Sequence, residues 1–240
     1  MNAFIFDVDD TLYDQLQPFA GAYHSMFSRD IDLYALFKSN RKYSDEVFVS
    51  SLRGEITMEE MYIYRISRCL EDFGLKISRQ EALEFQRRYA DGQQHIQMSK
   101  TIKKLLTLCT SSCRQETELP VLGVITNGES KHQQKKVDTL GITQWIPKEH
   151  ILISGNFQMH KPDVAIFRQA EKLLQLDREN TWFIGDSFRN DILGAKKAGW
   201  HAVWLNRRNE TPSDKTVFPD YTVKTEEELL QLFQDTLLPR

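Results

Sequence analysis

The sequence predicts an α/β protein in which a doubly wound parallel sheet is interrupted by an all-helical insert. Two observations carry this. Six short apolar runs, each the length of a buried strand, lie at Ala3–Phe6, Val121–Thr126, Ile151–Ser154, Thr181–Gly185, His201–Leu205 and Tyr221–Val223. The later runs alternate with helical patterns, as a mostly parallel sheet covered on both faces requires, whereas residues 15–95 are helical in period with few candidate strands.

Taken in order, Ala3–Phe6 ends directly in Asp7. PFAGAYHSMF, DLYALF, TMEEMYIYRISRCLEDFG and SRQEALEFQRRYADG then read as amphipathic helices. Thr57 with Glu60, and Ser78 with Glu81, have capping-box spacing, and Gly74 fits a helix stop. Ile102–Cys109 is helical, and the polar stretch Thr110–Leu119 reads as a helix end and loop. Val121–Thr126 ends at the turn signal Asn127-Gly128, and Lys131–Leu140 is a helix stopped by Gly141. Pro162 marks the start of a helix over Asp163–Leu176. Another is expected from about Asn190 to Ala198, stopped by Gly199, and a closing one over Glu226–Leu237. The first strand cannot stand alone, so residues 1–14 and 96–240 are expected to form one core around an insert at 15–95.

Composition excludes several functions. Hydrophobic residues make up 40% of the 240, ordinary for a globular chain. Lys+Arg 31 against Asp+Glu 34 gives a formal charge of -3, which offers no field for nucleic acid or an anionic membrane. The opening MNAFIFDVDD lacks the pattern of a secretory leader, so a cytoplasmic protein is expected. Cys69, Cys109 and Cys113 are read as reduced, buried thiols, and six scattered histidines make no metal cluster.

The chemistry concentrates at strand ends. Asp7, Asp9 and Asp10 fall within four residues and would repel one another unless a cation or hydrogen bonds offset the charge. Asp186, with Asp191 nearby, ends another strand, and oxygen ligands from two strand ends suit Mg²⁺. Thr126 and the backbone N–H groups from Asn127 onward can hold a phosphate oxygen, and Lys161 adds a cation. A carboxylate nucleophile, a second carboxylate for proton transfer, a cation and a hard metal are the parts of stepwise phosphoryl transfer.

Four pieces, Phe6-Asp7-Val8-Asp9-Asp10-Thr11-Leu12, Ile125-Thr126-Asn127-Gly128, Lys161-Pro162-Asp163 and Gly185-Asp186-Ser187-Phe188-Arg189-Asn190-Asp191, resemble in order the motifs of the haloacid dehalogenase-like hydrolase superfamily. The likeness is to its group with a helical cap inserted into a Rossmann-like core. It implies Mg²⁺-dependent hydrolysis of a small phosphate monoester, such as a nucleotide or sugar phosphate. Asp7 would be the nucleophile that forms an aspartyl-phosphate, and Asp9 the acid and then base. Thr126, Asn127 and Lys161 would hold phosphate. Asp7, Asp186 and the Asp9 carbonyl would hold the ion, with Asp191 in support. Tyr13 and Gln15, just after the first motif, are candidate specificity residues. Two positions depart from the pattern: Asp10 stands where glycine is frequent, as in some nucleotidase-type members, and Gln158 stands where the loop before Lys161 often has glycine. A phosphomutase, a haloacid dehalogenase of the same fold and a non-catalytic binding protein are the alternatives. The acid at Asp9 weighs against a dehalogenase.

Overall fold

Every residue of the first strand is buried, which a strand achieves only in the middle of a covered sheet. The computed structural model describes residues 2–111 and 119–238; the expected loop around Cys113 lies outside the described residues. The chain separates into two units, Met1–Asp14 with Gln97–Arg240, and Gln15–Ile96. In chain order the elements are β1 (Ala3–Phe6), α1 (Leu16–Met26), α2 (Leu33–Leu52), α3 (Met58–Asp72), α4 (Arg79–Gln93), α5 (Lys100–Ser111), β2 (Val121–Thr126), α6 (Ser130–Leu140), β3 (Ile151–Ile153), α7 (Val164–Leu174), β4 (Thr181–Gly185), α8 (Leu193–Ala198), β5 (His201–Leu205), β6 (Tyr221–Val223) and α9 (Glu226–Leu232).

The first unit is an α/β fold with one parallel sheet in the order β3-β2-β1-β4-β5-β6. Ala3 is level with Val121 on one side and Thr181 on the other, so β1 is central. Strand order reverses between β1 and β4, and in such sheets ligands collect beyond the carboxyl ends of the strands at that point. Both Asp7 and Asp186 follow those two strands directly. Ile5, Ile125, Phe167, Phe183 and Trp200 lie in one buried cluster, with Phe167 edge-on to Phe183 and Trp200 at centroid distances of 5.5 and 5.3 Å.

The helical unit has a separate core around Phe19, Phe37, Ile66, Phe85 and Tyr89. Both capping boxes form in it. Thr57 Oγ1 accepts from Glu60 N at 3.1 Å while the Glu60 carboxylate accepts from Thr57 N at 2.7 Å, and Ser78 and Glu81 repeat the exchange at 3.2 and 2.7 Å. Cys69 is buried here and Cys109 in the other unit; burial pushes the Cys109 thiol up to about 12. Among the described residues no helix is long and apolar enough to cross a membrane.

Three helices have limits that differ from the expectation. α7 begins at Val164 because the Asp163 carboxylate caps it, accepting from Ala165 N at 2.9 Å, and it ends where Gln175 turns left-handed at φ 53°. The helix expected from Asn190 begins only at Leu193, after a wide turn over Phe188–Ile192, and the closing helix widens in the same way over Phe233–Leu237.

Candidate active site

Asp7 is the first residue past β1, and its N–H still donates to Ile184 O of β4 at 2.9 Å. Its carboxylate is thereby held at the point where strand order reverses. Lys161 Nζ donates to Asp7 Oδ1 at 2.6 Å and lies 2.7 Å from Asp191 Oδ1; all three side chains are buried. Asp191 reaches this position from the wide turn after β4, with its Oδ2 accepting from Ser187 N at 2.9 Å. The approach is possible because residue 185 is glycine: a Cβ there would stand 2.3 Å from Asp191 Oδ2. Asp186 completes the group, with Trp204 Nε1 donating to its carbonyl at 2.7 Å.

Oxygens of Asp7, Asp186 and Asp191 lie within 4.8 Å of one another, so this oxygen-only set, two of its members buried and Asp186 half-buried, can hold a hard divalent cation. Charge also fits. Asp7, Asp9, Asp186 and Asp191 stand against two buried ammonium groups, Lys161 and Lys136, and one divalent ion offsets the formal excess. Burial raises the Asp7 carboxyl to about 7, with the charges of Asp191 and Asp9 adding to it and the Lys161 ammonium opposing. Asp191 is raised for the same first reason. Burial disfavours the Lys161 ammonium, but the carboxylates of Asp191 and Asp7 outweigh it and hold the group above the usual lysine range.

The motif after β2 contributes in two ways. Thr126 is buried and its hydroxyl has no hydrogen-bond partner among the described residues, an orphan that a ligand oxygen would satisfy. The Asn127 side chain braces the backbone: Nδ2 donates to Lys161 O at 2.8 Å and Oδ1 accepts from Lys161 N at 2.9 Å. Asn127 therefore locates the lysine.

Asp9 has its own set of donors. Lys136 Nζ lies 2.7 Å from its Oδ1 and 2.8 Å from its Oδ2, Gln133 Nε2 donates to Oδ2 at 2.9 Å, and the Tyr13 hydroxyl donates to Oδ1. Burial pushes the carboxyl up, yet the Lys136 charge and these hydrogen bonds overcome it and leave Asp9 well below the usual carboxylate range. Tyr13, a specificity candidate in the sequence, is buried with its hydroxyl on Asp9; Gln15, the other, opens the helical unit. Asp10, buried at φ 60°, accepts from Arg208 at 2.8 and 3.0 Å, and the same guanidinium bonds Asp14. At Gln158 the chain takes a left-handed φ of 54°, the conformation a glycine there would favour.

Sequence reasoning did not single out Gln133, Lys136 or Arg208. The first two lie in the stretch read only as a helix over Lys131–Leu140. A signal was present: Gln133, Lys136, Val137 and Leu140 follow the spacing of one helix face, so a lysine shares the buried stripe with two apolar residues. Nothing in the loop holding Arg208 marks that residue.

A family model described as haloacid dehalogenase-like hydrolase matches residues 1–199. N-acylneuraminate-9-phosphatase of Rattus norvegicus is 26% identical, over 98% of this chain and 94% of its own. Among solved structures, the putative HAD-hydrolase YfnB of Bacillus subtilis, bound to magnesium, superposes with a TM-score of 0.70 at 23% identity, covering 96% of this chain and 97% of that one. The L-2-haloacid dehalogenase of Xanthobacter autotrophicus gives a TM-score of 0.69 at 16% identity, covering 98% and 99%. Both structural likenesses are of fold.

Proposed function

The chain belongs to the haloacid dehalogenase-like hydrolase family, and from that premise we propose that it hydrolyses a small phosphate monoester with Mg²⁺, through an aspartyl-phosphate on Asp7. The observation that carries this reading is the grouping of Asp7, Asp186 and Asp191 with Lys161 bonded to two of them. Attack on a carbon–halogen bond has no use for three carboxylates and a fourth at Asp9; attack on a phosphoryl group held with a divalent cation does.

In this reading an Asp7 oxygen bonds to phosphorus as the bond to the leaving oxygen breaks. Asp9, which Lys136 and its hydrogen bonds otherwise keep ionised, must first take up a proton to serve as the acid of this step, and it gives that proton to the leaving oxygen. Asp9 then takes a proton from water as it attacks the aspartyl-phosphate, and phosphate and Asp7 are released. Lys161 and the Thr126 hydroxyl hold the phosphoryl oxygens, and Asn127 keeps Lys161 in place. Asp7, Asp186 and the Asp9 carbonyl would hold Mg²⁺, with Asp191 in support; the ion when bound would take up charge on the phosphoryl group. Choice of leaving group is assigned to the helical insert, residues 15–95, since these chemical roles all fall on residues of the other unit.

The rat relative acts on a phosphorylated sugar acid, as its name states, which sets the order of a substrate panel: sugar and sugar-acid phosphates first, then nucleotides, with a 2-haloacid as control. Phosphate release from at least one ester, lost on chelation and restored by Mg²⁺, is expected, with Asp7→Asn inactive. Halide release without phosphatase activity would overturn the proposal.

A further inference from the structure

The pairing of Asp9 with Lys136 has no counterpart in the roles assigned above. We infer that Lys136, assisted by Gln133, is a positioning residue that orients the Asp9 carboxyl for proton transfer to the leaving group. The inference rests on the phosphatase reading and adds to it a residue outside the four motifs.

Lys136 is only 3% exposed, and lysine is rarely buried without a partner. Its partner here is the proposed proton carrier, gripped at both oxygens by one ammonium at 2.7 and 2.8 Å. The terminal torsion of aspartate is broad when unconstrained; donors on both oxygens confine it. Gln133, one helical turn before Lys136, donates to Asp9 Oδ2 and also to Asn127 O at 2.7 Å. The end of α6 nearest Asn127 is fixed in turn by Glu129, whose carboxylate accepts from Lys131 N at 3.0 Å and His132 N at 2.7 Å. One face of one helix therefore sets the proton carrier against the loop that follows Thr126. Orientation of a proton donor contributes directly to rate, because transfer needs the donor aligned on the leaving oxygen as the P–O bond breaks.

The test uses the dependence of kcat/KM on the leaving group. A p-nitrophenolate departs without a proton, whereas phenolate gains from one. The full chain with Mg²⁺ is assayed on p-nitrophenyl, 4-methylumbelliferyl and phenyl phosphate. The parent should show a shallow decline across the series and Asp9→Asn a steep one. Lys136→Met should steepen it as well, lowering the phenyl to p-nitrophenyl ratio of kcat/KM by about tenfold or more, within the usual reach of general acid catalysis. Lys136→Arg should recover most of that ratio. Loss of fold alone lowers every ester by one factor. An equal loss on all three, or parental values on all three, from Lys136→Met beside a steep Asp9→Asn would overturn the inference and leave the phosphatase reading standing. A shallow Asp9→Asn series, or a parent that cleaves none of the esters, would overturn that reading and the inference with it. Should Lys136→Met not fold, Gln133→Met removes one donor from Asp9 and should steepen the series less; a uniform loss there overturns the inference equally.

Discussion

Asp7→Asn is expected to stabilise the protein stripped of divalent ions above neutral pH, by an amount that follows from burial of the carboxyl. Asp7 goes from its ordinary 3.8 to about 7 on folding, chiefly through desolvation. A group raised on folding contributes stability that is complete below its unfolded value and lost as pH climbs through the folded one. Between pH 3.8 and about 7 the folded chain holds the extra proton, so stability falls with rising pH across that window. At ~1.36 kcal/mol per pH unit the loss reaches about 4 kcal/mol. Asparagine has no proton to lose, so the gain of the variant over the parent should grow by that amount between pH 4 and 8. In a chain of this size, about 4 kcal/mol corresponds to roughly 10 °C in melting temperature. The assay is urea unfolding in chelator at half-unit steps of pH, for parent and variant. Divalent ion at pH 8 should stabilise the parent more than the variant, because one proposed ligand is gone. A difference that stays flat from pH 4 to 8 would refute the burial argument.

Chelation should abolish phosphatase turnover and Mg²⁺ restore it; turnover without metal would remove Asp186 from its proposed role. Asp9→Asn should lower kcat by roughly 10²–10⁴-fold, the range of a lost general acid and base, measured on an ester with a poor leaving group. Gly185→Ala should drive its methyl against Asp191, 2.3 Å from Oδ2, and reduce activity at least tenfold; a crystal structure with the Lys161–Asp191 pair undisturbed would contradict this. Arg208→Met leaves the buried carboxylate of Asp10 without its cation and should cost about 3 kcal/mol in urea unfolding, a value typical of breaking a buried pair.

The sheet was legible because its central strands are dense apolar runs, β1 and β4 ending at a carboxylate and β2 at a turn signal, and parallel pairing brings those ends to one side. Asp7 and Asp186 could be matched from sequence alone for that reason. Gly185 was legible as part of a motif, but its cause was not: only coordinates reveal that Asp191 occupies the space of a side chain. Lys136 was lost among neighbouring lysines because charge usually means a solvated face, and its partner lies across the fold. The same holds for Arg208, whose pairing with Asp10 joins a loop after β5 to the turn after β1. The helix spacing marks Lys136 as buried, but nothing in it names the partner across the fold. The Asp10 departure has a local account in the structure: a buried left-handed residue, satisfied by a half-buried arginine, occupies a place where glycine would need no partner.

The central place of β1 has a consequence for synthesis. Its two neighbours, β2 and β4, are made long after it, with the whole helical unit translated in between. At ~5–20 residues per second, the ribosome needs roughly ten to forty seconds to pass from Phe6 to Gly185. Throughout that interval four consecutive apolar residues wait without their sheet, while residues 15–96 already hold enough apolar side chains for a core of their own. Nascent chains stalled before residue 181 should therefore carry a folded helical unit beside an exposed, sticky strand, and chaperone binding in the cell should concentrate on those lengths.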